Sequence, residues 1–396
     1  MSTDSALSRR DFLQSAAALA AALSAGRAAR AQQTQPASVL MPTRQLGKTG
    51  LKVPILQMGG SFRQSPVLIK RALELGVNFF DTSAYYMRGR AEGIVGEALG
   101  SLAKRKDFTI VTKGRAKKSP AEVLDELVPA SLERLKMDHV DVWFIHGLND
   151  PSLLTQPEWK DTAEKLKKSG KARFFGFSCH GKNVVDLLTT AAKVGYVDVI
   201  MFRHNFRTYG DAELSQAIDA AHKAKIGLIA MKAQGAVTDY PERLNPFEKA
   251  GLSKHQAALR FVWQDERIAS ICSEMTSLRI LEENAAAALW ALTKDEARLL
   301  KDWADRTAGA YCPGGSGLCR RQCEAACGSP VAIADTLRFL TYHDSYGRPA
   351  HARRLFAELP AWQRPSPTAD LTAAQQACPY GLPVAAMVRA ALSQLA

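Results

Sequence analysis

Apolar runs of strand length recur along the chain at Ile55 to Met58, Val77 to Asp81, Phe108 to Lys113, Val140 to His146, Arg173 to Ser178, Val197 to Asn205, Ile226 to Lys232 and Ile268 to Cys272. Between them lie segments with apolar residues at helical spacing, among them Val67 to Leu75, Ala121 to Leu135, Thr162 to Ser169, Val184 to Val194 and His255 to Gln264. Eight such strand–helix units over about 250 residues predict an α/β fold, a parallel (β/α)8 TIM barrel. A doubly wound sheet would alternate in the same way, but the count favours closure and no Gly-x-Gly-x-x-Gly opens the first unit. Ahead of the barrel, Gln45 to Val53 reads as a two-strand hairpin with a glycine turn.

The strand ends carry the chemistry. The second apolar run breaks into Asp81-Thr82-Ser83-Ala84-Tyr85-Tyr86, the third ends at Lys113 and the fourth at His146. Carboxyl ends of parallel strands share one rim, where such folds hold their reactive groups. Taken singly, an Asp before Thr is a helix cap, a strand-end Lys snorkels and a lone His is a core group. Four such residues converging on one rim argue for a site.

These residues resemble the Asp, Tyr, Lys and His tetrad of the aldo-keto reductases. The resemblance covers roughly Gln45 to Trp290 and takes in the hairpin and a closing Glu282-Glu283-Asn284. It implies that Asp81, Tyr86, Lys113 and His146 are catalytic in hydride exchange with a small carbonyl or alcohol. Tyr86 would protonate the alkoxide, Lys113 would lower the phenol's pKa, Asp81 would hold Lys113 charged, and His146 would orient the carbonyl. No side chain supplies a hydride, so a nicotinamide is implied, NADP in preference to NAD. Its implied binding residues are Ser178, Asn205, Lys232, Arg279, Glu283 and Asn284. This chain departs from the family pattern at Cys179 and Met201, where an Asn and a Gln are usual, and at Glu274, where a Gly is usual. Those departures leave open a second reading, a non-catalytic barrel serving as a binding or redox-sensing module.

The two ends of the chain differ from the barrel in composition. Arg9-Arg10 followed by Phe12-Leu13, an alanine-rich run and Ala29-Arg30-Ala31 read as a twin-arginine signal peptide over residues 1–31, with a linker at 32–42 and the barrel at 43–305. The expectation is a periplasmic protein with no integral membrane segment after cleavage. Residues 306–396 form a small, mainly helical, Cys-rich extension. In it Cys312, Cys319, Cys323 and Cys327 are spaced x6, x3 and x3, and Cys378 follows in Cys378-Pro379. The extension resembles the ferredoxin-like tail of some exported aldo-keto reductases, which implies one 4Fe-4S cluster on Cys312, Cys319, Cys323 and Cys378, with Cys327 as the rival fourth ligand, and a possible electron-transfer partner. Zinc or two disulfides are the other uses of such cysteines. Cys179 and Cys272, on barrel strands, read as buried hydrophobes.

A formal charge of +13 would suit nucleic acid, but no nucleic-acid motif is present, and none is expected as a partner. The basic residues instead follow strand ends: Arg88 and Arg90, Arg115, Lys117 and Lys118, Lys182, Arg203 and Arg207. If they share one face, they form a cationic funnel for anionic groups.

Overall fold

A computed structural model describes residues 41–396, apart from 62–63, 116–118, 181–182, 209, 235–246, 248–249, 251, 307–311, 313, 315–318, 320, 329 and 345–347. The twin-arginine segment, the linker up to residue 40, Lys117, Lys118 and Lys182 therefore lie outside the described residues. Among the described residues no helix is long and apolar enough to cross a membrane.

Eight parallel strands close into a barrel: β3 (Leu56–Met58), β4 (Phe79–Asp81), β5 (Thr109–Gly114), β6 (Val140–His146), β7 (Ala172–Cys179), β8 (Val199–Arg203), β9 (Gly227–Met231) and β10 (Ser270–Ser273), with β10 returning to pair with β3. Several strands are shorter than their apolar runs. Val77 and Asn78 precede β4, where the Asn78 amide turns outward to donate to the Asp107 carbonyl at 2.9 Å. The connecting helices are α1 (Pro66–Glu74), α2 (Arg90–Leu102), α3 (Val128–Leu135), α4 (Pro157–Lys168), α5 (Val184–Val194), α6 (Ala212–Lys223), α7 (Lys254–Trp263) and α8 (Leu278–Ala287). The predicted helix from Ala121 is split, with a wider turn at Val123–Leu127 ahead of α3 and Pro129 in its first turn.

Two apolar layers hold this architecture. Phe79, Val111, Val142, Phe144, Val199, Met201 and Ile229 fill the barrel interior, while Phe80, Ile110, Trp143, Phe175 and Phe177 face the helices. Neighbouring strand residues thus divide between interior and exterior, as period-two geometry requires, yet both faces are apolar because both are buried. The hairpin β1 (Thr43–Gln45) and β2 (Lys52–Pro54) plugs the end of the barrel opposite the catalytic rim: Leu46 and Val53 join the interior cluster, and the Lys48 amide donates to the Lys225 carbonyl at 2.7 Å. Gly47 permits this approach, because a Cβ there, at φ +54°, would stand 2.3 Å from the Gly227 nitrogen.

After α9 (Lys294–Arg306) comes the extension, with α10 (Gln322–Ala326), α11 (Ile333–Asp344), α12 (Pro349–Glu358), α13 (Thr372–Gln376) and α14 (Val384–Leu395). It has its own core around Leu337, Phe339, Phe356, Leu371, Val388 and Leu392. A short helix followed by a long one occurs twice, as α10–α11 and α13–α14. The spacing of Cys319, Cys323, Cys327 and Ile333 is repeated by Asp370, Ala374, Cys378 and Val384, a degenerate duplication that sequence and helix order share.

Candidate active site

Asp81, Lys113 and His146 end β4, β5 and β6, three adjacent strands, and Tyr86 follows in the turn after β4. Lys113 Nζ lies 2.5 Å from Asp81 Oδ1, donates to the Thr82 carbonyl at 2.9 Å, and stands 3.5 Å from Tyr86 Oη. The edge of one ring meets the face of the other between Tyr86 and His146, with centroids 5.6 Å apart. The structure thus brings the four predicted residues together. Behind them the backbone is tight. A Cβ on Gly60 would fall 2.0 Å from the Asp81 carbonyl oxygen, and the Gly60 amide bonds the Asp81 carboxylate. Met87 and Arg88 hold φ at +52° and +59° just after Tyr86, a strained turn of the kind found at reactive sites.

Burial governs the electrostatics. It would lower Lys113 alone, but Asp81 and Tyr86 outweigh it and hold the ammonium above its ordinary value. Burial raises the Asp81 carboxyl against the pull of the same ammonium. Tyr86 is pushed up to about 12, because loss of water outweighs Lys113. This corrects the sequence-based expectation of a lowered phenol: one cation at 3.5 Å does not repay the water that the half-buried hydroxyl loses. His146 is held well below its usual value, first by burial and then by Lys113 and Arg115, so it is neutral.

Several neighbours of the tetrad escaped the sequence. Ser83 Oγ lies 2.9 Å from His146 Nδ1 and 3.2 Å from the Lys113 carbonyl, which ties three strand ends together. Its only signal was the polar run after β4. His180, just beyond β7, lies within the electrostatic reach of His146 and Lys232. Cys272 is half-buried rather than enclosed, and its thiol feels Asp81, Lys113 and Lys232, so it lines the mouth. Cys179 is fully buried, as expected.

The residues assigned to cofactor binding are scattered around β7 to β10 and α8. Ser178 Oγ accepts from the Gly147 amide at 3.1 Å. Asn205 donates to the Lys232 carbonyl at 3.3 Å and accepts from the Arg207 amide at 3.1 Å. Arg279 is exposed and paired with Glu283 at 2.7 Å. Asn284 is buried in a network that was not foreseen, accepting from Gln234 at 2.9 Å and donating to Ser273 Oγ at 3.2 Å. The funnel is only partly assembled. Arg115 lies over the Tyr85 ring and Arg203 lies beside the extension, but Arg207 donates outward to the Ala304 carbonyl.

The extension docks on the half of the rim that the tetrad leaves open. Gly314 sits against Arg203 at the end of β8, Tyr342 of α11 lies under Lys232 at the end of β9, and Arg348 donates to Glu274, just beyond β10, at 2.9 Å. Within the extension, burial pushes the Cys312 thiol up to about 11, with Cys319 and Cys378 adding to it; Cys323 rises to about 12, with Cys319, Cys312 and Cys378 again contributing. Cys327 instead feels Glu324 and Asp370. None of these cysteines is in a disulfide, and no three His, Cys, Asp or Glu side chains stand at metal-ligand spacing among the described residues.

A family model described as the aldo/keto reductase family matches residues 57–247. An L-galactose dehydrogenase of Arabidopsis thaliana is 31% identical over 280 residues, which span 62% of this chain and 87% of that protein. A Schizosaccharomyces pombe protein named as a voltage-gated potassium channel subunit beta is 33% identical over 163 residues, 36% of this chain and 46% of that protein. In structure, an aldo-keto reductase of Klebsiella pneumoniae in complex with NADPH superimposes with a TM-score of 0.56 at 20% identity, covering 66% of this chain and 95% of that one. With its closed eight-stranded barrel and this degree of identity to a relative matched over most of its length, the chain belongs to the aldo/keto reductase family.

Proposed function

We propose that the chain is a reductase that exchanges a hydride between NADP, in preference to NAD, and a small carbonyl or alcohol, with Asp81, Tyr86, Lys113 and His146 as its catalytic residues. The observation that carries this reading is the buried Asp81–Lys113–Tyr86 chain of contacts at 2.5 and 3.5 Å beside a neutral His146. Four groups there hold or move a proton and none carries a hydride, so the donor set calls for a redox cofactor. The nicotinamide would supply the hydride. Ser178 and Asn205 would hold its carboxamide end, and Lys232, Arg279, Glu283 and Asn284 its phosphate-bearing half. The Klebsiella structure with NADPH supports the choice of dinucleotide, and the galactose dehydrogenase supports a polyhydroxylated substrate.

The residues divide the work as follows. Tyr86 keeps its proton at neutral pH and delivers it to the oxygen that becomes an alkoxide. Lys113, held charged by Asp81, stabilises the phenolate left behind. Ser83 Oγ, which donates to the Lys113 carbonyl at 3.2 Å, fixes the His146 ring at Nδ1, and the neutral imidazole would orient the substrate carbonyl. In the extension, the spacing of Cys312, Cys319, Cys323 and Cys378, with Cys327 as the rival fourth ligand, is what supports one 4Fe-4S cluster, which would supply one-electron transfer. Twin-arginine export of the loaded protein to the periplasm completes the reading.

A second reading, a non-catalytic barrel that binds or senses, has one observation in its favour: Asn205 and Asn284 already spend their amides on protein partners. The pH dependence of reduction separates the two. With Tyr86 near 12 and His146 neutral, kcat/KM for NADPH-dependent reduction of a small aldehyde stays level from about pH 6 to about pH 9. The acid form acts below the phenol's pKa and is lost only as pH rises toward it. A limb near the ordinary histidine value of about 6.5 would contradict the assigned state of His146, and no turnover at any pH would favour the module.

A further inference from the structure

Between the barrel rim and α11 lies a group of cations that the catalytic tetrad does not use. Lys232 Nζ lies 5.0 Å from the centre of the Tyr342 ring, and the Arg338 guanidinium lies 5.9 Å from the same centre. Arg203 enters from β8, against Gly314. All three are half-buried. Two carboxylates lie near: Asp335 is shared by Arg321 and by Arg338 itself at 2.9 and 2.8 Å, and Glu274 is engaged by Arg348. Arg338 Nε is buried and makes no hydrogen bond among the described residues.

Two neutral side chains register the field of this group. The largest charge effects on Tyr342 come from Lys232, Arg338 and Arg203, which draw its phenol below the ordinary value although burial pushes the other way. His180, next to the catalytic side, is depressed first by burial and then by Lys232, Arg338, His146 and Arg203. Positive charge is thus concentrated in the space that joins the extension to the tetrad. Lys232 reaches it from a left-handed backbone at φ +61°, a conformation that costs a lysine free energy and is kept where the surroundings fix it.

We propose that Arg203, Lys232 and Arg338 form an anion-binding site, built jointly by the barrel rim and the extension, that takes a phosphate or carboxylate group. Converging cations in a partly dry cleft attract such a group more strongly than exposed ones, and guanidinium forks match its oxygens. Tyr342 is its floor, flanked by His351, whose ring stacks on it with centroids 6.0 Å apart. The group belongs either to the dinucleotide or to the substrate carried next to His146, and the proposal takes the reductase reading for that second half only.

The test uses the full-length mature protein and inorganic phosphate as the probe, with affinity measured by titration calorimetry and no turnover required. Wild type binds phosphate, and both Arg338→Gln, from the extension, and Arg203→Gln, from the barrel, weaken it at least about tenfold while melting within a few degrees of wild type. If one variant fails to fold, the other still decides. Competition between phosphate and NADPH would assign the site to the dinucleotide, and simultaneous binding would assign it to the substrate; the site itself stands in either case. No phosphate binding by wild type, or unchanged affinity in a folded variant, overturns it. A protein that binds phosphate but never oxidises NADPH would leave the site in place and remove the reductase reading instead.

Discussion

Tyr86→Phe lowers kcat for carbonyl reduction by about a thousandfold and leaves folding and NADPH affinity close to wild type. The substitution removes a single oxygen from a ring whose face and edge remain packed against His146 and Lys113. That oxygen is the protonated acid 3.5 Å from the Lys113 ammonium, and general acid catalysis contributes about 10² to 10⁴ in rate. Binding survives because ring contacts and rim cations are untouched. Steady-state kinetics with a small aldehyde, paired with fluorescence titration of NADPH, would check it. A variant with full activity would remove Tyr86 from the mechanism, and a variant that lost NADPH affinity as well would make the residue structural.

Asp81→Ala has the largest expected effect on stability. It leaves Lys113, 1% exposed, as a buried ammonium with the Thr82 carbonyl as its remaining close partner. Stranding one member of a buried pair costs about 3–5 kcal/mol, and the lysine answers by releasing its proton. The linkage has a definite sign. Lys113 is raised in the folded protein, so its pairing contributes stability below its ordinary value wherever Asp81 is ionised; it is lost in strong alkali, and in acid once the raised Asp81 carboxyl takes up a proton. The variant should therefore melt lower than wild type from mildly acid to mildly alkaline pH, with activity reduced along with it. Adding Lys113→Met removes the stranded charge and restores much of the melting temperature but none of the activity. If the double variant melted as low as the single one, the loss would come from packing or from the Gly60 contact, and the pair would not be the cause.

How much of this was legible in the sequence depends on the range of the interaction. The barrel was legible because a parallel strand covered on both faces is apolar throughout, so β6 and α5 could be bounded to the residue. The tetrad was legible because three members end strands, Tyr86 follows in the turn after one of them, and closure brings strand ends to one rim. Contacts made by folding alone were not. Nothing near Ser83 announces His146 as its partner, nothing near Gly60 announces the close approach of Asp81, and Tyr342 meets Lys232 across more than a hundred residues of chain. The state of Tyr86 was misread for a related reason. A neighbouring lysine can be inferred from strand order, but the loss of water around the hydroxyl is a property of the assembled mouth, and it dominates.

The extension shows the same division. Its cysteine spacing suggested a ligand set, and its helix order shares that duplication, with Ala374 and Asp370 standing where a second set would need thiols. Its place on the barrel was invisible beforehand. It covers the ends of β8, β9 and β10 and leaves those of β4 to β6, which carry the tetrad.

The most direct test of the central claim, hydride exchange at this rim, is label transfer. NADPH carrying deuterium at the nicotinamide C4 is incubated with the full-length protein and a panel of small aldehydes and sugars, and the alcohol products are examined by mass spectrometry. The account predicts one deuterium on the former carbonyl carbon, delivered from one face of the nicotinamide only, by wild type but not by Tyr86→Phe. Alcohol formed without the label, or the same labelled product from the variant, would contradict it.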